Sequence, residues 1–67
     1  MKLNEIIRAK RAESGLTLMK VGNAVGASNV SVSLWEQGKR IPTLPNRIKL
    51  AKVLGVDLQE LIPELSQ

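Results

Sequence analysis

Residues 27–35 read Ala27-Ser28-Asn29-Val30-Ser31-Val32-Ser33-Leu34-Trp35, and from Asn29 to Leu34 polar and apolar side chains alternate. Taken alone, a period of two marks a half-buried β-strand. A strand needs a neighbour, because an unpaired one leaves backbone donors and acceptors open on both edges. If the stretch is helical instead, its apolar residues cannot all face one way. Where the leftover ones point then becomes the functional question.

The flanking sequence decides for helix. Gly15, Gly26, Gly38 and Gly55 divide the chain, and Pro42 and Pro45 add a further break. Leu3, Ile6, Ile7 and Lys10 begin an i, i+3, i+4, i+7 row with Asn4 as cap, predicting a first helix from about Asn4 to Glu13. Thr17 caps a second helix of barely two turns, holding Met19, Val21, Ala24 and Val25 and ending at Gly26. Thr43 caps a fourth, with Pro45 in its first turn, where a missing N–H costs little. Leu44, Ile48, Leu50 or Ala51, and Leu54 give that helix an apolar face. Asp57 and Glu60 form a capping pattern for a last short helix holding Leu58, Leu61 and Ile62, stopped by Pro63.

No second strand is on offer, so residues 29–34 are predicted helical, from the cap Ser28 to about Gln37, with Gly38 as terminus. Val and Ser are weak helix formers, but tertiary packing often overrides that preference. The expected fold is all-α: a compact five-helix arrangement in one domain spanning residues 1–67.

The 67 residues contain no Cys, His or Tyr, which removes disulfides, thiolate metal sites and the usual acid–base partners of a nucleophile. So short a chain buries only roughly 60% of its unfolded surface. Phosphate-cradling Gly-rich motifs are absent, no carboxylate pair flanks a turn, and the expectation is a protein that is not an enzyme and takes no cofactor or metal. The start, MKLNEIIRAK, is too polar for a signal peptide, and no apolar run approaches a membrane span of about 18 residues.

The net charge is +4, distributed unevenly. All ten Lys and Arg lie at or before Lys52 with Glu5, Glu13 and Glu36, a local net of +7; Asp57, Glu60 and Glu64 follow with −3. A basic body with an acidic end points to a polyanion partner or to an ordinary solvated surface.

At 100° per residue, Val32 and Trp35 share one face of the third helix, the core face. Asn29 and Ser33 share another with Val30 and Leu34, and Gln37 continues it. That second face carries no charge, whereas an ordinary exposed face would hold Lys and Glu. Two arrangements fit: Val30 and Leu34 pack under a loop or another helix, or the face reads DNA base edges. Asn makes a bidentate pair with adenine, apolar groups contact the thymine methyl, and charge belongs at the flanks on phosphates. The second helix, the turn at Gly26 and the third helix make a helix-turn-helix, with Gly22 leaving room where the helices cross.

The run GLTLMKVGNAVGASNVSVSLWEQGKRIPT, followed by LAKVLGVDLQELI, resembles the lambdoid phage repressor and Cro class of helix-turn-helix domains, from about Asn4 to Ile62. The segment SNVSVSLWE is similar to the recognition helices of that class. The resemblance implies five short helices and operator binding as a symmetric dimer. It implies that Asn29, Val30, Ser33 and Leu34 face the major groove and that Thr17, Gln37, Lys39 and Arg40 sit near phosphates. The docking geometry known for this motif comes from the same class and adds no independent support. The class usually has Gln at the first position of the second helix and often where Leu34 stands. Here the former is Leu18, followed by Met19: either Leu18 is an accessory DNA contact reading thymine methyls with Leu34, or the sequence is altered and binds DNA poorly. The class often joins the positions of Arg11 and Glu36 by a salt bridge, which here would tie the first helix to the end of the third.

The resulting expectation is a sequence-specific double-stranded DNA-binding regulator of transcription, a small Cro-like repressor or the DNA-binding part of a longer one. It would act in the cytoplasm of a bacterial or phage-infected cell, on the nucleoid. A weak homodimer would assemble on the operator through Leu58, Ile62, Pro63 and Leu65 at the acidic end. The alternative is a protein-interaction module or antitoxin of the same fold, docking through Leu18, Met19, Val30 and Leu34. The basic Gly38-Lys39-Arg40 loop discriminates in favour of DNA.

Overall fold

The structure, a computed structural model, describes residues 2–62. The described residues are helical, with no strand among them. Four α-helices follow in order: α1 Leu3–Glu13, α2 Leu18–Val25, α3 Asn29–Glu36 and α4 Leu44–Leu54, and then a 3-10 turn, Leu58–Leu61. None is long and apolar enough to cross a membrane.

Three starts are set by local side-chain chemistry. The hydroxyls of Thr17, Ser28 and Thr43 accept from the backbone N–H groups of Lys20, Ser31 and Asn46, at 3.1, 3.0 and 3.5 Å. Each satisfies one donor that a helix start leaves open. α2 ends at Gly26 with φ of 75°, a left-handed residue that a side chain would strain. The N–H of Ala27 then returns to the Gly22 carbonyl at 2.8 Å and closes the turn into α3.

Asn4 is not the cap of α1. That place belongs to Lys2, which makes no side-chain cap bond, and Asn4 lies inside the helix. Its amide nitrogen donates instead to the Glu36 carbonyl, 3.4 Å away at the end of α3. An Asn can cap locally or reach across the fold, and here the distant acceptor wins.

The fifth helix is also corrected. Asp57 and Glu60 do form the expected capping box, the Asp57 N–H donating to Glu60 Oε2 at 3.1 Å. Only four residues follow the cap, too few for an α-helical ladder, and the bonds are i→i+3: Glu60 N–H to the Asp57 carbonyl and Ile62 N–H to the Gln59 carbonyl. Pro63 lies outside the described residues.

The core is Ile7, Val21, Val25, Val32, Trp35, Leu50, Ala51, Leu54 and Leu61, with Leu3, Ile6, Leu16, Leu18 and Leu58 packed against it half-buried. α2 packs on α3 and α4, and α1 braces α3, α4 and the 3-10 turn. On α4 the expected apolar face holds only in part. Leu50, Ala51 and Leu54 are buried, but Leu44 and Ile48 are exposed. Arg47 shares the inward row with Leu50 and Ala51 and is half-buried there, which turns Leu44 and Ile48 outward.

Candidate nucleic-acid interface

α3 is held rigidly at both ends and along one side. Its core face, Val32 and Trp35, is buried as expected. Gly22 fixes its approach to α2: a Cβ there would stand 2.7 Å from the Ala27 carbonyl oxygen and 3.2–3.3 Å from backbone atoms of Ser28 and Asn29. Only a glycine lets the two helices meet this closely.

The far end of α3 is fastened by α1. Arg11 donates from Nε and Nη2 to both carboxylate oxygens of Glu36, the second bond measuring 3.0 Å, and from Nη1 to the Leu16 carbonyl at 2.9 Å. The side chains are 20% and 8% exposed, so this is a largely buried, bidentate pair. The hydrogen bond to Glu36, aided by that carboxylate's charge, raises the Arg11 pKa against the opposing effect of burial. The pair has a second consequence. Glu36 is the one acid of α3, and it is turned inward and neutralised.

What α3 presents outward is therefore uncharged. Asn29, Val30 and Gln37 are exposed, Val30 at 61%, while Ser33 and Leu34 are half-buried beside them. Gln37 Nε2 donates to Ser33 Oγ at 2.8 Å, one turn back, which fixes the amide along the face. Leu18, half-buried at the start of α2, meets this face across a shallow groove of about 300 Å³ that it lines with Ser33, Gln37, Glu36, Arg11 and Arg8. Arg8 was not singled out in the sequence. Its place three residues before Arg11 was the available signal, since both then lie on the α1 face toward α3. Met19, the next residue of α2, is exposed.

Cations stand beside the end of this neutral face. Lys39 and Arg40 are exposed in the loop after Gly38, and their N–H groups both bond the Leu34 carbonyl, at 3.0 and 3.3 Å. The loop is thereby pinned to the end of α3. Thr17 is exposed at the N-terminus of α2, where no acidic residue occupies the first turn. Of the expected pairing residues, Leu58 and Ile62 are half-buried, and Pro63 and Leu65 lie outside the described residues.

An uncharged face with exposed cations beside its end can enter a groove whose walls are anionic and whose floor carries neutral hydrogen-bonding groups. Comparison with known proteins agrees with that chemistry. Residues 7–61 match the family described as Helix-turn-helix. The chain is 36% identical over 66 residues to "Repressor protein C2" of Salmonella phage P22, covering 97% of this chain and 31% of that protein. It is 30% identical over 61 residues to "Cryptic phage CTXphi transcriptional repressor RstR" of Vibrio cholerae serotype O1, covering 91% of this chain and 54% of that one. It thus spans about one third to one half of the curated relatives it matches. Among solved structures it is similar to the P22 c2 repressor protein in complex with synthetic operator 9T in the presence of Tl+, with a TM-score of 0.87, 33% identity, and coverage of 91% of this chain and 92% of that one. The chain belongs to the helix-turn-helix family.

Proposed function

We propose that this chain binds double-stranded DNA sequence-specifically as a transcriptional repressor, with α3 in the major groove. The observation that carries the reading is the face of α3: Asn29, Val30, Ser33 and Leu34 lie over a buried Val32 and Trp35, without a charge, and the exposed cations Lys39 and Arg40 follow in the next loop. Asn29 reads adenine, Val30 and Leu34 contact thymine methyls, and Ser33 adds a hydroxyl. Leu18 extends the apolar contact across the shared groove. Thr17, Gln37, Lys39 and Arg40 bind phosphates, positioning the helix without reading sequence. The P22 relative is a repressor seen on an operator, which supports the same role here.

Two copies on a two-fold operator complete the reading, each α3 reading one half-site a helical turn from the other. The site of action is then the nucleoid of a bacterial cell. The exposure of Met19 and Val30 favours a second reading, an apolar surface that docks another protein. One experiment separates the two: selection of bound duplexes from a random pool, followed by a salt titration on the winner. A shared half-site in inverted repeat and a steep fall in affinity with salt support DNA binding. No enrichment, or affinity indifferent to salt, refutes it.

A further inference from the structure

The start of α1 reaches the loop that follows α3. Asn4, in the first turn of α1, donates from Nδ2 to the Glu36 carbonyl at 3.4 Å, across 32 positions of sequence. The last carbonyls of a helix have no partner within it, and this bond supplies one for α3. Two residues on, Gly38 has φ of 75°, and its α-carbon lies against the same amide: a Cβ there would stand 3.4–3.7 Å from Asn4 Cγ, Nδ2 and Oδ1. Asn4 is half-buried and lines a groove with Trp35, Gly38 and Arg40.

Few buried contacts hold that loop, since residues 38–41 are all exposed. The Lys39 and Arg40 N–H groups share one acceptor, the Leu34 carbonyl, and the Gly38 N–H bonds the Trp35 carbonyl at 3.2 Å. These bonds tie the loop to α3, whereas Asn4 ties it to α1. Arg11, seven residues along the same face of α1, grips the Glu36 carboxylate and so fixes a side chain. Asn4 holds the backbone at the point where the loop departs. A segment with so few buried contacts opens at little cost, and one further attachment then matters to where it stands.

We propose that Asn4 is a positioning residue for phosphate contact: it sets where the loop presents Lys39 and Arg40 and does not itself bind DNA. The inference deepens the DNA-binding reading and rests on it. A neutral amide releases no counterion, so Asn4 acts on the salt dependence of binding through the two cations alone. Losing the amide removes one hydrogen bond, worth roughly threefold to tenfold in an equilibrium. The 3.4 Å length of this bond places it at the lower figure.

The test is a double-mutant cycle in duplex affinity: the parent, Asn4→Ala, Lys39→Ala with Arg40→Ala, and all three changes together. Alanine favours the helix, so α1 should form in each. On a duplex selected from a random pool and on a scrambled one, Asn4→Ala should weaken binding alike, about threefold, and flatten the salt slope by up to about 1 unit. In the chain without the two cations, the same change should shift affinity by less than about 1.5-fold. An equal loss in both backgrounds overturns the proposal, because Asn4 would then act on overall stability, on α3 or on DNA directly. No loss in the parent background overturns it too.

Amide hydrogen exchange without DNA is the second arm. The Lys39 and Arg40 amides should exchange at least about threefold faster in Asn4→Ala, with that of Val32, bonded to the Ser28 carbonyl, unchanged. Asn4→Asp, which the dipole at the start of α1 favours, should do the same and carries this arm if Asn4→Ala unfolds. Equal acceleration at all three amides, the mark of general destabilisation, overturns the proposal, and so does no acceleration. If the parent binds no duplex, the DNA-binding reading fails, and exchange still decides whether Asn4 holds the loop.

Discussion

Gly22→Ala is the smallest change that tests how α2 positions α3. A Cβ would lie 2.7 Å from the Ala27 carbonyl oxygen, and ordinary contact begins at 3.4 Å, so the turn must give way by about 0.7 Å. Every atom met is backbone, of Ala27, Ser28 and Asn29, and no side chain can rotate aside. Overpacking of this kind costs about 1–3 kcal/mol. Alanine returns up to about 1 kcal/mol of helix propensity, so the net loss should be up to about 2 kcal/mol. The effect on recognition should be larger, because a reading surface has to be held within about 0.5 Å. The assay is urea unfolding together with binding to a selected duplex. We expect reduced stability and a greater loss of specific than of non-specific affinity. A variant at least as stable as the parent, with unchanged sequence preference, would refute the reasoning: the close approach would then not constrain α3.

Three further outcomes follow from the same geometry. Arg11→Met strands the Glu36 carboxylate, which is 8% exposed, and should cost about 3 kcal/mol in a thermal melt, the low end for a buried pair because Arg11 retains some exposure. Trp35→Ala should cost about 3–5 kcal/mol by denaturant titration, most of what so small a protein has; parental melting would mean that the phase of α3 is misread. Lys39→Ala with Arg40→Ala should weaken binding to all duplexes alike and flatten the salt slope by up to about 2 units, with base preference unmoved.

How much could be read from the sequence depended on the range of the forces involved. The caps Thr17, Ser28 and Thr43 were legible because each bond spans three residues. Asn4 was misread because its acceptor, the Glu36 carbonyl, is 32 residues away. The inward turn of Val32 and Trp35 followed from helical phase once neighbours had excluded a strand. Leu44 and Ile48 have the spacing of a core stripe yet lie outside, and spacing alone cannot separate a residue facing its own core from one facing solvent. Helical spacing puts Arg8 on the Arg11 face of α1, but its place beside Leu18 and Ser33 depends on how α1 packs on α3.

On the proposed reading, the alternation of residues 29–34 divides folding from recognition within one helix. Val30 tests it most directly. At 61% exposure, Val30→Ala should shift stability by no more than about 0.5 kcal/mol. On a selected duplex, replacing thymine by uracil removes only the methyl that Val30 is proposed to touch. The parent should bind the uracil duplex more weakly, and Val30→Ala should bind both alike. Asn29→Ala, measured beside it, should spare stability and lose about 1–3 kcal/mol of discrimination for adenine. The decisive measurement is melting and thymine-versus-uracil affinity on the Val30→Ala chain. The account predicts a parental melt with the preference for thymine gone; a collapsed melt with that preference intact would contradict it, because Val30 would then serve packing and not reading.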